Sequence, residues 1–387
     1  YNTAVGYLAL SSDTLGSTSV AIGAYSLEAQ NFTSATNSYN VAIGYNTGAD
    51  ITTGTVNTLV GGLAGDALTS GNSNVALGYL ALSADTLGDR AVAVGMNALA
   101  NQNFTSSVDS YNVAVGYQAG FQVTTGVQNT IIGGLAGDSL TSGGSNVAVG
   151  YNALSTEDGH GSNTAIGASA LSVQNAGANA FNTAVGASAG LAVTTGVQNT
   201  LIGGLAGDAS TTGNENTAIG YGSLSASTTA SNNVAVGATA LLTNTTGAEN
   251  TAIGRRALFS SATASNNTAV GSNALLSNTT GTRNAALGTY SLDANTTADD
   301  NTGVGYAALS DNTTGASNTA FGSEALLFNT TASNNTAVGS DALRVNTTGI
   351  QNVSVGASSL TANTTGNNNV SVGMNTMVAN TTGAQNT

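Results

Sequence analysis

The sequence contains no cysteine, no proline, no tryptophan and no lysine. Without cysteine no disulfide can staple the fold, and cysteine usage gives no information about the redox compartment. The absence of proline leaves every backbone N–H free to donate to a β ladder. Charged residues make up only 6%, and 19 acids against 5 arginines give a net charge of −14. Nucleic-acid binding is therefore not expected, since phosphates require a basic surface.

Long apolar runs are also missing, although hydrophobic residues make up 41% of the chain. No stretch reaches the roughly 18 apolar residues of a transmembrane helix, so no membrane insertion is predicted. The aliphatic residues instead recur at a fixed phase among Asn, Thr, Ser and Gly. This regularity argues against disorder, which the low charge and polar composition would otherwise suggest.

A short repeat runs through the whole chain. Twenty-two motifs resembling Asn-Thr-Ala-Val-Gly end in glycines from Gly6 to Gly373, and most of the intervals between those glycines are seventeen residues long. Two intervals are longer by four residues and one is longer by two. A fixed short period is typical of a solenoid, in which each coil stacks on its neighbour.

Each coil has two apolar clusters when positions are counted from its marking glycine, taken as zero. Position −1 is aliphatic in all coils except that of Phe321, position +3 is small, and position +4 is Leu in 15 coils. These clusters predict two strands of about four residues per coil, with glycine at the bend. Residues assigned a structural role include Gly6, Gly23, Gly78, Gly150, Gly220, Gly305, Val5, Leu10 and Leu309.

The predicted fold is an all-β parallel solenoid, a flattened β-roll of about 22 coils with a 17-residue period. Coils stacked at about 4.8 Å would give a rod on the order of 105 Å long. Frequent Gly, Asn and Thr argue against helix. Six asparagines at one phase are expected to form a hydrogen-bonded column: Asn295, Asn312, Asn329, Asn346, Asn363 and Asn380.

The alanine beside each aliphatic residue predicts an oligomer. Strand alternation would place the −1 side chain in the core and the −2 side chain, as in Ala4, Ala42, Ala76 and Ala235, on the opposite face. A flat stripe of small residues would then run along the solenoid. Burial of this stripe against partner chains leads to the expectation of a homotrimer.

A longer period divides the chain into two sections. Residues 1–209 are expected to form a decorated section of three four-coil superrepeats, and residues 210–387 a plain shaft of 17-residue coils. In the third and fourth coils of each superrepeat glycine replaces the +4 Leu. An apolar residue often follows three positions later, as in Ile51 and Leu68, so the core is predicted to shift around the coil.

The second coil of each superrepeat carries a short insertion, at 31–39, 103–111 and 175–181. Aromatic residues recur in these insertions and are expected to project from one edge of the solenoid: Phe32, Tyr39, Phe104, Tyr111 and Phe181. Exposed aromatics suit contact with a sugar or a protein. They could instead pack against neighbouring chains and hold them together, and the sequence slightly favours this second role.

The repeated motifs resemble those of a known family. Asn40–Gly44, Asn74–Gly78 and Asn146–Gly150 are similar to the head repeat of trimeric autotransporter adhesins. The unit from Asn318 through Thr331 resembles repeats of phage tail fibres and large bacterial surface proteins. The resemblance implies a left-handed parallel β-roll of three chains that works in attachment, although 17-residue spacing is longer than is typical of adhesin heads.

The chemistry-bearing residues do not predict an active site. His160, the only histidine, is assigned to a solvated turn, since zinc normally requires three or four ligands. Three Gly-Gly-Leu-Ala-Gly-Asp segments are interpreted as tight bends, because a phosphate loop needs a following Lys. Calcium at their aspartates remains an alternative. No catalytic residue, metal site or cofactor is predicted.

The sequence therefore favours a non-enzymatic extracellular fibre section that extends and presents an attachment tip. Its carrier would be a phage tail fibre or a bacterial surface adhesin, with the first slightly favoured. An adhesin head that binds a host glycan or receptor through the insertions is the alternative. A polysaccharide-degrading tailspike is the third hypothesis, although glycosidases need paired carboxylates and the only adjacent pair is Asp299–Asp300.

Overall fold

The computed structural model describes residues 1–387 as an all-β parallel solenoid of about 22 coils with a regular 17-residue repeat. The predicted fold class is confirmed. The chain divides into two compact units, Tyr1–Val197 and Gln198–Thr387. There is no helix, and hence none long and apolar enough to span a bilayer.

The first unit contains eleven three-residue strands and four two-residue strands. Their bounds are β1 Thr3–Val5, β2 Gly16–Ser17, β3 Val20–Ile22, β4 Thr36–Asn37, β5 Val41–Ile43, β6 Thr58–Val60, β7 Val75–Leu77, β8 Gly88–Asp89, β9 Val92–Val94, β10 Val108–Asp109, β11 Val113–Val115, β12 Thr130–Ile132, β13 Val147–Val149, β14 Thr164–Ile166 and β15 Thr183–Val185. The three-residue strands pair in parallel with those of adjacent coils. The short strands form two further parallel pairs, β2–β4 and β8–β10.

The second unit contains eleven three-residue strands. Their bounds are β16 Thr200–Ile202, β17 Thr217–Ile219, β18 Val234–Val236, β19 Thr251–Ile253, β20 Thr268–Val270, β21 Ala285–Leu287, β22 Thr302–Val304, β23 Thr319–Phe321, β24 Thr336–Val338, β25 Val353–Val355 and β26 Val370–Val372. Each strand pairs in parallel with the next, and equivalent positions face each other throughout.

Each ordinary coil contains one strand, so the prediction of two strands per coil is wrong. The second apolar cluster forms a turn in which positions +2 and +4 are left-handed, as in Asn152 (φ 58°) and Leu154 (φ 51°). These turns still stack by backbone hydrogen bonds, because Leu154 donates to the Ala170 carbonyl at 3.0 Å. The chain closes a coil through such bends without a second extended segment.

The predicted burial of the strand is inverted. The −2 alanines point inward and are fully buried in Ala42, Ala76 and Ala235, although Ala4 in the first coil is exposed. The −1 side chains lie on the outer face, where Val5 is 59% exposed. The interior is narrow, and the +4 Leu from the turn fills it opposite the strand. A small side chain therefore occupies −2 in these coils, and the predicted exposed alanine stripe does not exist.

The +4 leucines form the core as predicted. Leu309 is fully buried, whereas Leu10 in the first coil is half-buried. In superrepeat coils with glycine at +4, Ile51, Leu68, Val123, Leu140 and Val193 are fully buried at +7. The predicted shift of the core around the coil is therefore confirmed.

The marking glycines lie where neighbouring coils approach most closely. The glycines Gly6, Gly23, Gly78, Gly150, Gly220 and Gly305 have φ between 132° and 140°, as expected for a residue without a side chain. A Cβ on Gly150 would lie 2.5 Å from the Gly167 carbonyl oxygen. Both the backbone angle and the space exclude other residues.

The predicted asparagine column is confirmed over most of its length. Side-chain amides donate to the preceding asparagine at 2.8–3.1 Å from Asn295 to Asn363. Asn380 instead donates to Gly383. A second column at position −4, not predicted, is also buried: in most coils the backbone N–H of the asparagine donates to the asparagine Oδ1 of the preceding coil, as Asn57 does to Asn40 at 2.9 Å.

Candidate functional site

The insertion aromatics divide into two groups. Phe32 and Phe104 are only 7% and 4% exposed, whereas Tyr39, Tyr111 and Phe181 are 56%, 51% and 57% exposed. The expectation that all five project from the solenoid is therefore wrong for the two phenylalanines. Their apolar rings have no polar handle and are buried against the coils, which leaves the tyrosines and Phe181 at the surface.

Phe104 belongs to the interior around a buried carboxylate. Its backbone N–H donates to Asp85 Oδ1 at 3.3 Å, and its ring lies where a Cβ on Gly88 would be 2.8 Å from Cδ2. Substitution of Phe104 would therefore disturb folding as well as any ligand contact. It is not a suitable probe of binding.

The second insertion carries a polar group around its exposed tyrosine. Arg90 forms an ion pair with Asp109, and the Tyr111 hydroxyl donates to Asp109 Oδ2 at 3.2 Å. The Arg90 guanidinium lies 5.7 Å from the centre of the Tyr111 ring. An aromatic ring, a carboxylate and a guanidinium on one exposed surface can bind a polyhydroxylated or peptide ligand.

A tyrosine column follows the marking glycines on the outer surface. Its members at position +1 are 50–66% exposed: Tyr7, Tyr45, Tyr79, Tyr117, Tyr151, Tyr221 and Tyr306. Near the first coils Tyr25 makes edge-to-face contacts with Tyr7 and Tyr45, at ring-centre distances of 5.5 Å and 5.9 Å. In the first unit the column and the outward −1 residues form an apolar stripe. In the second unit only Tyr221 and Tyr306 belong to the column, and the stripe consists mainly of the −1 residues.

Carboxylates at position +7 recur in the first coil of each superrepeat: Asp13, Asp85 and Glu157. Asp13 is half-buried and the other two are fully buried. Each accepts a hydrogen bond from a glutamine in the next coil, at 3.4, 2.7 and 3.2 Å. That glutamine in turn accepts from a −4 asparagine, as Gln102 does from Asn112 at 2.8 Å. Burial raises the pKa of both Asp85 and Glu157, against the opposing effect of these hydrogen bonds.

Sequence reasoning missed these acid–glutamine–asparagine chains. The signal is present, because an acid at +7 is followed by glutamine at +7 of the next coil in all three superrepeats. Sequence alone, however, indicates that position +7 is buried only in coils where the residue is apolar, and a polar residue there is expected to be exposed. The chains lie in the interior and run along the solenoid, so they do not form an open catalytic cleft.

The Asp299–Asp300 pair is held by an arginine. Arg283 Nε and Nη2 contact the two oxygens of Asp300 at 2.7 and 3.0 Å, and Nη2 lies 3.7 Å from Asp299. The hydrogen bond from Arg283 lowers the pKa of Asp300. A glycosidase acid needs the opposite shift, so this pair is unsuited to that role.

The Gly-Gly-Leu-Ala-Gly-Asp segments are turns of ordinary coils. Gly65, Gly137 and Gly207 have φ of 49–56°, and no helix follows any of them. Burial raises the pKa of Asp66 and Asp138, the aspartates that end two of these segments. The interpretation of these segments as tight bends is confirmed.

Comparison of the sequence with models of known protein families and with curated proteins gives no match. The function must accordingly be argued from the geometry described above.

Proposed function

We propose that the chain is a non-enzymatic, extracellular fibre section that extends and presents an attachment tip. The observation that carries this proposal is the unbroken strand register of each unit, in which the strand and turn of each coil stack on those of its neighbours and most coils also repeat the −4 asparagine. Such ladders give resistance to bending and to local unfolding, because opening one coil breaks bonds to two neighbours. A phage tail fibre is slightly favoured over a bacterial surface adhesin as the carrier.

The working form in this proposal is a homotrimer. Its support is the apolar stripe on the outer face, in place of the alanine stripe that the sequence predicts. Between Ile219 and Phe321 the largest −1 side chains stand at every second coil and are 37–57% exposed: Ile219, Ile253, Leu287 and Phe321. Large side chains about 9.6 Å apart, two coil spacings, form a ridge that can interdigitate with the same ridge of identical chains in parallel register.

Electron microscopy and sedimentation test the two parts separately. Negatively stained particles are expected to be rods much longer than wide, and a compact globule would refute the fibre. Sedimentation equilibrium is expected to give three chains per particle. A stable monomer would remove the trimer while leaving the fibre in place.

Paired variants identify the interface. Ile253→Asp together with Phe321→Asp should dissociate the trimer, since each places a charge in an apolar contact. Thr280→Ala, an exposed change away from this face, should leave it intact. If both the double variant and Thr280→Ala dissociate the trimer, or if neither does, the apolar stripe is not the interface between chains.

The second candidate is an adhesin head that reads a glycan or receptor through the insertions. It is favoured by the exposed Tyr39, Tyr111 and Phe181, which recur every four coils, about 19 Å apart. Binding on a glycan array should fall at least tenfold in Tyr111→Ala, and Thr280→Ala should bind as the parent does. Array binding that is unchanged in the Tyr39→Ala/Tyr111→Ala/Phe181→Ala variant would exclude the insertions as the site.

A tailspike enzyme is the third hypothesis. Its support is weak, because the buried +7 carboxylates face the interior and Asp300 is paired with Arg283. Incubation with host polysaccharide and an assay for new reducing ends tests it directly. No new ends are expected, and their appearance would overturn the non-enzymatic proposal.

A further inference from the structure

One coil departs from the repeat at two interior positions at once. Among the 19 coils without an insertion, 18 have Gly or Ala at position +10, and the remaining one has His160. The same coil has the only Glu at position +7, Glu157. The two changes lie three positions apart in the same coil, in the polar turn that leads to the next strand.

The second superrepeat shows what the ordinary arrangement provides. Asp85 Oδ1 accepts from the N–H groups of Gly88 and Phe104 at 3.0 and 3.3 Å, and Oδ2 accepts from Gln102 at 2.7 Å. Both oxygens of this buried carboxylate thus have partners within the protein. In the third superrepeat His160 replaces the Gly88 equivalent, and Ala176 replaces Phe104.

The replacement brings a buried carboxylate oxygen and a buried imidazole nitrogen into direct contact. Glu157 has no exposed side-chain surface, and Gln174 donates to its Oε2 at 3.2 Å. Glu157 Oε1 and His160 Nδ1 are both buried and face each other at 3.3 Å, an ion pair when the imidazole is protonated, and neither atom makes a regular hydrogen bond to another group. A carboxylate oxygen and an imidazole nitrogen that face each other in a buried position are satisfied only when a proton or a cation lies between them.

A third donor adjoins the pair. Asp158 Oδ1 lies 3.9 Å from His160 Nδ1, and ligand atoms of all three residues lie within 4.8 Å of one another. Two ligands bonded at 2.0–2.2 Å with a tetrahedral angle lie about 3.3–3.6 Å apart. The separation of Glu157 Oε1 and His160 Nδ1 matches that geometry. Asp158 Oδ1 also accepts a hydrogen bond from the Gly159 N–H at 2.5 Å, and its side chain is 55% exposed.

We propose that Glu157, Asp158 and His160 form a binding site for one divalent transition-metal ion of the Zn²⁺ class. One imidazole and two carboxylates are donors that Zn²⁺ accepts, and water from the exposed side completes the coordination. Gln174 acts as a positioning residue, because its bond to Oε2 orients Oε1 toward the site. Ca²⁺ and Mg²⁺ bind poorly here, since they prefer six or more oxygen ligands.

The ion fixes a turn to the interior of the solenoid. Asn146 Nδ2 holds the His160 carbonyl at 3.1 Å, and Thr141 Oγ1 holds the Asp158 carbonyl at 2.8 Å. The ligand backbone is thereby set before any metal binds. The ion replaces the donors that Gly88 and Phe104 supply in the second superrepeat, and its binding stabilises the folded coil.

The single histidine makes the test direct. In ¹⁵N-edited spectra of the full chain, one equivalent of ZnCl₂ is expected to shift the imidazole resonances with Nδ1 as the bound nitrogen. Zinc titration calorimetry should give one site, weakened at least tenfold in His160→Gly and in Glu157→Gln. His160→Gly restores the residue found at +10 in most coils, so it is expected to fold. Asp85→Asn, at the equivalent acid of the second superrepeat, should bind zinc as the parent does.

Other results would overturn the assignment. Imidazole resonances unchanged by excess ZnCl₂ would refute it, as would zinc binding that persists in His160→Gly. Equal competition by CaCl₂ would show a general carboxylate surface instead. If Glu157→Gln does not fold, the spectra of the parent and the calorimetry of His160→Gly still decide.

Discussion

At the scale of single residues, each coil contains several residues in the left-handed backbone conformation. Positions −5, +2 and +4 are left-handed in most coils, including non-glycine residues such as Leu154, Ser73 and Arg283. Left-handed conformation costs an L-residue about 1 kcal/mol, with Asn and Gly the best tolerated. Burial of the +4 leucines offsets this cost, whereas exposed −5 residues have no such compensation.

Val56 is the clearest case. It is β-branched, 52% exposed and has φ of 62°. Val56→Asn is expected to raise the free energy of unfolding by about 0.5–1 kcal/mol, because Asn tolerates this region and little packing is lost. Chemical denaturation measures the change. Ser73→Asn, at the same position of the next coil, should give a smaller gain, and an equal gain in both would contradict the argument.

The −4 asparagine column depends on each of its members. Asn250 accepts from the Asn267 N–H at 3.1 Å, and its own Nδ2 donates to the Ala264 carbonyl at 2.8 Å. Asn250→Ala leaves both of these buried groups without a partner. The expected loss is about 2–6 kcal/mol, from about 1–3 kcal/mol for each of the two unsatisfied groups. Urea denaturation should show it, with Thr280→Ala near zero as control. A loss no larger than that of Thr280→Ala would mean that water replaces the bonds.

At the scale of the coil, the interior volume is shared between the strand and the turn. In the coil of Gly203 the strand supplies Leu201 at −2 and the turn supplies Gly207 at +4. The next coil reverses this with Ala218 and Leu224, and both patterns bury the leucine almost completely. The two positions face each other, because a Cβ on Gly207 would lie 2.8 Å from Leu201 Cδ2.

This exchange can be tested by a double-mutant cycle. Leu201→Ala should destabilise by about 2–5 kcal/mol through the cavity it leaves. Gly207→Leu alone should destabilise by overpacking. The double variant recreates the Ala and Leu pattern of the next coil and should recover most of the loss. Additive effects of the two changes would show that the side chains do not share one space.

At the scale of the whole molecule, buried acids dominate the pH dependence. Burial raises the pKa of Asp66, Asp85, Asp138, Glu157 and Asp293. The two carboxyls whose pKa is lowered, Asp158 and Asp300, are exposed, and solvent screens their contribution. The folded chain therefore holds protons more tightly than the unfolded chain in mildly acidic solution.

The sign of the effect follows from linkage. A carboxyl with a raised folded pKa contributes stability that is complete below its unfolded value, near 4, and is lost as the pH rises through the folded value. The chain should thus resist guanidinium better at pH 4 than at pH 8, and lower self-repulsion of the −14 charge acts in the same direction. Asp85→Asn should reduce this pH difference. Greater stability at pH 8 would contradict the prediction.

Much of the architecture follows from the sequence alone. The glycine spacing determined the number of coils, their parallel register and the phase of the leucine layer, because stacked repeats must place equivalent residues together. It also determined one asparagine column and the shift of the core to Ile51 and Leu68. The tight approach at Gly150 follows from glycine itself, since no other residue combines that backbone angle with so little space.

Only the tertiary structure decided which way the strand faces. Alternation along Val147–Val149 separates alanine from valine but does not say which is inside, and hydrophobicity alone favours the valines. The deciding quantity is the width of the interior, which the turn leucine already fills, so a methyl group is the side chain that fits opposite. The tertiary structure also decided that Phe104 is buried and that the Glu157 carboxylate turns inward to meet His160, because an acid or an aromatic ring in a polar segment does not by itself show which way it points.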